Sequence, residues 1–158
     1  MKTKRTAALT APLFLVAVIA ITLSTKEAHA GRWFAADLGR GLNSTGQNCF
    51  SEYYGSETNG CSSWQYWLMP LVVDSTGYLY PTIQVAASST SNPISCYAYS
   101  ADIPNSGTVY QTQTVTTSSS GVAEYLNLSN GTYIPNYDWY TQVVCEVYPN
   151  SAVYGVNY

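Results

Sequence analysis

The sequence predicts an all-β fold: a single-domain β-sandwich, immunoglobulin-like or jelly-roll-like, with seven to eight short strands and two disulfides. Three observations predict it. Beyond residue 30 no stretch shows a helical period, and short runs of alternating residue type recur between turns rich in Gly, Asn, Ser and Pro. Two of these runs each carry one cysteine on their apolar side: Ile94, Cys96 and Ala98 alternate with Ser95, Tyr97 and Tyr99, and Val143, Cys145 and Val147 alternate with Gln142, Val144 and Glu146. The cysteine count is four, an even number. A closed barrel is the other architecture that such spacing admits.

The first thirty residues read as a secretory signal. Lys2, Lys4 and Arg5 form a positive start, Ala7 to Leu23 is mostly apolar, and Ala28-His29-Ala30 supplies the small residues of a cleavage site. Thr10 and Pro12 interrupt the apolar run, which falls short of the roughly 20 residues that a membrane span needs. No cysteine follows the site, so a lipid anchor is not expected. The remainder is long enough for one domain and too short for two.

Residues 31–62 are rich in Gly, Ser, Asn and Thr without a sustained period, and read as an irregular, disulfide-containing N-terminal segment on which Trp33 and Phe34 dock against the body. The sandwich body is expected over 63–158. Ser63 to Met69 alternates with aromatic residues on both faces, and the Asp74-Ser75-Thr76-Gly77 turn suggests a hairpin returning through Tyr78 to Ala87, with Ile83 and Val85 inward. Pro81 marks an edge or a strand start. After the Ile94 to Ser100 strand comes the Ile103 to Gly107 turn. Val109 to Thr116 has polar residues on both faces and suits a strand open to water. Val122, Glu124, Leu126 and Leu128 share one face of a further strand, Asn130-Gly131 is a turn, Asp138 to Tyr148 is the longest strand, and Ala152 to Tyr158 closes the chain.

Four cysteines permit three pairings. The preferred one is Cys49–Cys61, bracketing a polar loop, with Cys96–Cys145 across the core. The analogy with an inter-sheet immunoglobulin disulfide suggests a tryptophan, Trp64 or Trp67, packed on it. No two cysteines have the C-x₂₋₄-C spacing of a zinc site, so no metal is expected. Asp74 lies in a turn but no D-x-D-x-D-G calcium loop surrounds it.

Cleavage after Ala30 would leave Arg32 and Arg40 against Asp37, Glu52, Glu57, Asp74, Asp102, Glu124, Asp138 and Glu146, a net charge of −6 (two against eight) with no lysine or histidine. Nucleic acid and anionic membranes are thereby excluded as partners. Hydrolases that activate a nucleophile with histidine or lysine are excluded by inventory. A glycosidase needs only two acids, and Glu52, Glu57, Asp138 and Glu146 are available, but each reads as a solvated charge. No catalytic residue and no cofactor are expected.

The anomaly is aromatic: all 15 tyrosines lie beyond residue 30, with Trp33, Trp64, Trp67 and Trp139. Strands that bury one face cannot bury them all. Tyr97 and Tyr99 on one cysteine strand and Tyr140 at the start of the other are expected to meet as an exposed binding face. Two functions follow for a secreted, non-enzymatic domain. One is structural or self-associating work at a surface, and the other is carbohydrate or protein binding through the Tyr/Trp face. Sequons occur at Asn43, Asn127 and Asn130.

The run Pro70 to Gly77, the Cys96 strand, and Val143-Val144-Cys145 followed by Pro149 and a short closing strand resemble an uncharacterised family of small secreted bacterial β-rich proteins with two disulfides. The resemblance spans about the C-terminal two-thirds of the chain. It implies secretion and a disulfide-bonded β domain, and it carries over no activity and no functional residue.

Overall fold

The computed structural model describes residues 32–102, 107–136 and 139–158. The expected signal, 1–30, lies outside these residues, as do most of the Ile103 to Gly107 turn and the first residue of the Asp138 to Tyr148 strand. Among the described residues the strands are β1 (Trp33–Ala35), β2 (Arg40–Gly41), β3 (Phe50–Tyr53), β4 (Ser56–Asn59), β5 (Gln65–Pro70), β6 (Gly77–Leu79) and β7 (Thr82–Ala86). They continue as β8 (Ser95–Ala101), β9 (Val109–Gln111), β10 (Val115–Thr116), β11 (Glu124–Asn127), β12 (Thr132–Ile134), β13 (Tyr140–Val147) and β14 (Ala152–Asn157). Among the described residues helix is confined to two single turns, Ala36–Leu38 and Ser44–Gln47. No helix among these residues is long and apolar enough to cross a membrane.

The protein is an all-β, sandwich-like fold of antiparallel sheets. The first sheet runs β11-β7-β14-β4-β3, with β1 also paired to β14; the second runs β10-β8-β13-β5-β2, with β9 also paired to β8. A separate ribbon pairs β6 with β12. Alternation sorts the side chains as expected. Ile83, Val85, Leu126, Val153 and Val156 of the first sheet meet Trp67, Met69, Cys96, Ala98, Val143, Cys145 and Val147 of the second in one buried cluster. At roughly 25 cal/mol per Å² of apolar surface removed from water, this cluster is the main favourable term in folding. Pro81 precedes β7, which lies between β11 and β14, so it marks a strand start and not an edge.

Both preferred disulfides form, Cys49–Cys61 and Cys96–Cys145, and no described cysteine is free. Two formed disulfides fit an oxidising compartment. The position of the second bridge differs from the inter-sheet expectation: Cys96 and Cys145 are directly opposed on the neighbouring strands β8 and β13, so the bridge is a rung within one sheet. Alternation assigns each cysteine to a face and says nothing about which strand lies beside it. Trp67, directly opposite Cys145 on β5, is the tryptophan next to the bridge, whereas Trp64 is exposed and packs edge-on against Tyr66.

Three further expectations are corrected. Strands number more than the expected seven to eight, because many are pairs of two to four residues with no sequence period of their own. Residues 32–62 are not an irregular lead-in: β1, β3 and β4 belong to the first sheet and β2 to the second, so the sandwich begins at Trp33 and not at residue 63. Phe34 stacks on Tyr158 with ring centroids 5.4 Å apart, and Gly39 lies so close to Trp67 that a Cβ there would fall 2.2 Å from the indole. Backbone contact of this kind leaves no hydrophobic period to read. Finally, the Ser63 to Met69 and Tyr78 to Ala87 runs do not form a hairpin. β5 pairs with β13 and β2 while β7 pairs with β11 and β14, so the chain crosses from one sheet to the other between them.

Candidate functional site

The central strand of the second sheet shapes the site. β13 has β8 on one side and β5 on the other, so its outward residues are flanked by large side chains: Val144 lies opposite Tyr97 and Leu68, and Gln142 opposite Tyr99 and Pro70. The rings lean over the shorter side chains. As a result Gln142 is only 2% exposed and Val144 4%, although both face away from the core. The strand is buried on both faces, where the alternation alone suggested one.

The structure brings Tyr97, Tyr99 and Tyr140 together as expected. Tyr97 stacks with Tyr99 at 6.3 Å between centroids, and Tyr99 meets Tyr140 at 6.4 Å and a tilt of 59°. They are not the openly exposed patch that was expected. Tyr97 and Tyr99 are half-buried, and burial pushes both hydroxyls above the ordinary phenol range, with a smaller contribution from neighbouring tyrosines. The Gln142 side chain ties the row: its amide nitrogen donates to the Tyr99 hydroxyl, and its carbonyl oxygen accepts from the Tyr140 hydroxyl. Beside this row a hollow of about 200 Å³ is floored by Leu68, Gln142 and Val144 and walled by Leu42, Tyr66, Tyr97 and Tyr99. Leu42 is held over the face because its amide donates to the Tyr66 carbonyl.

Chemically the hollow offers ring faces and fixed hydroxyl and amide groups. It holds no acid–base couple. Among the described residues no group of three or more His, Cys, Asp or Glu could hold a metal ion. Of the acids weighed for catalysis, Asp138 lies outside the described residues and Glu146 is half-buried on the outward side of β13. Glu52 and Glu57 are opposed across the β3–β4 pair. Glu52 is solvated as expected, but Glu57 is not: it is 9% exposed, lies opposite the core residue Val153, and has one carboxylate oxygen without a partner. Burial raises its pKa, and the charges of Glu52 and Asp37 add to the shift. The sequence could not show this, because the burial comes from β4 lying between β14 and β3.

A second aromatic surface escaped the sequence reading altogether. Tyr80, Tyr78, Tyr133, Tyr110 and Trp139 form a chain of ring contacts at one end of the sandwich. These five residues come from four separate stretches and share no motif. Tyr78, Tyr110 and Tyr133 stand on strands of three residues, too short to show an alternation, and Tyr80 and Trp139 lie outside the strands. No protein-family model matches the chain, and no curated protein matches it significantly.

Proposed function

We propose that the protein is an extracellular, non-catalytic binding module that holds carbohydrate on the outer face of the second sheet. The observation that carries this reading is the Gln142 bridge, a buried amide on a solvent-facing surface that holds two phenol hydroxyls in fixed positions beside stacked rings. Binding sites gain affinity from groups ordered before the ligand arrives. Ring faces suit the C–H face of a sugar, and fixed hydroxyls suit its hydroxyls. The absence of lysine and histidine from residues 31–158 supports a non-catalytic role.

A glycan array probed with the purified domain tests this. Signal is expected for a saccharide, lost in Tyr97→Leu/Tyr99→Leu and largely kept in Tyr97→Phe/Tyr99→Phe, with each variant melting cooperatively. Signal equal in all three proteins would sink the assignment to this face. Self-association at a surface is a second reading, favoured by one observation: the edge strand β3 ends at Tyr53 and is followed in the turn by Tyr54, and these are 71% and 92% exposed. Sedimentation velocity decides it, since a monomer at the highest attainable concentration rejects that reading.

A further inference from the structure

We infer a second binding site, separate from the sheet face, where the β6–β12 ribbon closes one end of the sandwich, and its ligand class is an uncharged polysaccharide chain. The site begins in an open cleft of about 630 Å³ beside the Asp74 to Thr76 turn, walled by Tyr78, Tyr80 and Tyr158. From its mouth the rings continue outward. Tyr80 stacks with Tyr78 at 6.2 Å, Tyr78 meets Tyr133 at 5.2 Å, Tyr133 meets Tyr110 edge-on at 5.5 Å, and Tyr110 stacks with Trp139 at 5.6 Å. The four tyrosines are between 37% and 64% exposed, so these rings are not core. A continuous exposed aromatic surface of this extent marks a contact site in a soluble domain.

The scaffold beneath the rings is built from buried polar groups. Tyr78 and Tyr133 are opposed in the ribbon. Thr132 Oγ1 donates to the Tyr110 carbonyl at 2.8 Å, and Ser100 Oγ donates to the Tyr133 carbonyl. Ser100 is fully buried and Thr132 is 1% exposed, so two buried hydroxyls hold the backbone that carries two of the rings. Gly131 has φ 61°, and a Cβ there would lie 2.8 Å from the Tyr80 ring, so a glycine is needed for this ring to seat. The rings are thus positioned before any ligand arrives.

Charge selects the ligand. Among the described residues the one cation lining the cleft, Arg32, is paired with Asp74, so these residues present no net positive charge to an acidic glycan. The surrounding domain is acidic and repels one. What remains is a hydrogen-bonding rim of Ser75, Thr76 and the Arg32–Asp74 pair beside stacking faces, which fits sugar hydroxyls and C–H faces.

Native affinity electrophoresis of the purified domain tests the site, using hydroxyethylcellulose, soluble β-glucan and mannan as neutral probes and alginate as the acidic one. At least one neutral probe is expected to retard the domain, and a severalfold increase in salt leaves this unchanged because no net charge is engaged. Tyr78→Ala/Tyr133→Ala weakens retardation roughly tenfold, the loss of two stacking rings, and Trp139→Ala, at the far end of the chain of rings, weakens it less. Tyr97→Leu/Tyr99→Leu leaves it in place, which separates this site from the sheet face. Retardation undiminished in both Tyr78→Ala/Tyr133→Ala and Trp139→Ala overturns the inference, and if it falls only in Tyr97→Leu/Tyr99→Leu the sheet face alone is the site. No retardation by any neutral probe, or preference for alginate, also overturns it.

Discussion

The two sheets are built differently. In the second, β8 and β13 run seven and eight residues in unbroken register and share a disulfide rung. In the first, the central strand β14 bulges between Val153 and Gly155 and changes partner along its length, pairing with β4 at one end and β1 at the other. Its outer arm, β3 and β4, is closed by the short Cys49–Cys61 loop and carries the buried Glu57. The difference teaches where contact chemistry can sit. Both aromatic surfaces depend on β8 of the continuous sheet: Tyr97 and Tyr99 stand on it, and Ser100 at its end anchors the ribbon. The patched sheet carries a buried carboxylate with one unpartnered oxygen, and the exposed Tyr53–Tyr54 tip, instead.

The largest way to break this comparison is to cut the two bridges. Cys96→Ala/Cys145→Ala opens a loop with a separation of 49 residues and Cys49→Ala/Cys61→Ala one of 12. Chain entropy assigns about 4 and about 3 kcal/mol to these loops, and the first pair adds a gap in the core. Urea denaturation is expected to show the greater loss for the core pair, and equal midpoints would remove the distinction between the sheets.

A smaller effect is expected at Gln142. Gln142→Leu keeps the volume but removes both hydroxyl contacts, at a cost of about 1 kcal/mol. The informative readout is binding. If the face works through ordered hydroxyls, saccharide affinity falls further than stability does; an unchanged affinity would reduce Gln142 to packing.

Glu57 should act in the opposite direction. Its folded pKa is raised, chiefly by burial, so the charged form destabilises the fold above that value and the penalty is relieved as pH falls through it toward the ordinary glutamate range. Glu57→Gln is expected to raise Tm by a few degrees at neutral pH and to flatten the rise that the parent protein shows on mild acidification. A variant that melts lower at neutral pH would show that the carboxylate is compensated.

The smallest effect is expected at Glu124, whose carboxylate accepts from the Ser118 and Ser119 amides and hydroxyls and is held down to about 2, the Ser118 amide contributing most. Here the sign reverses: the depressed value contributes stability above the ordinary glutamate range that is lost only as pH falls toward 2. Glu124→Gln should speed proteolysis of the Thr117 to Gly121 loop at neutral pH with little change in Tm. Cleavage at the parent rate would leave those hydrogen bonds without a role in ordering the loop.

The sequence by itself determined the fold class and the inward faces of β7, β8 and β13, because period-2 alternation is a local property that survives any arrangement of strands, and of three possible cysteine pairings it made the observed one the preferred one. It placed Tyr97 and Tyr99 on the outward face of β8 and Tyr140 on the outward side of β13, since residues two apart share a face, while the pairing of these two strands, which brings the three rings together, belongs to the tertiary structure. Only the tertiary structure decided that the bridge lies within a sheet, that residues 32–62 are woven into both sheets, that Gln142 and Val144 are covered from outside, and that Glu57 is buried. Each of these depends on which strand lies beside which, a choice made by long-range packing. The same holds for the rings from Tyr80 to Trp139: short strands distant in sequence converge there, held by backbone carbonyls and two buried hydroxyls that leave no pattern in the chain.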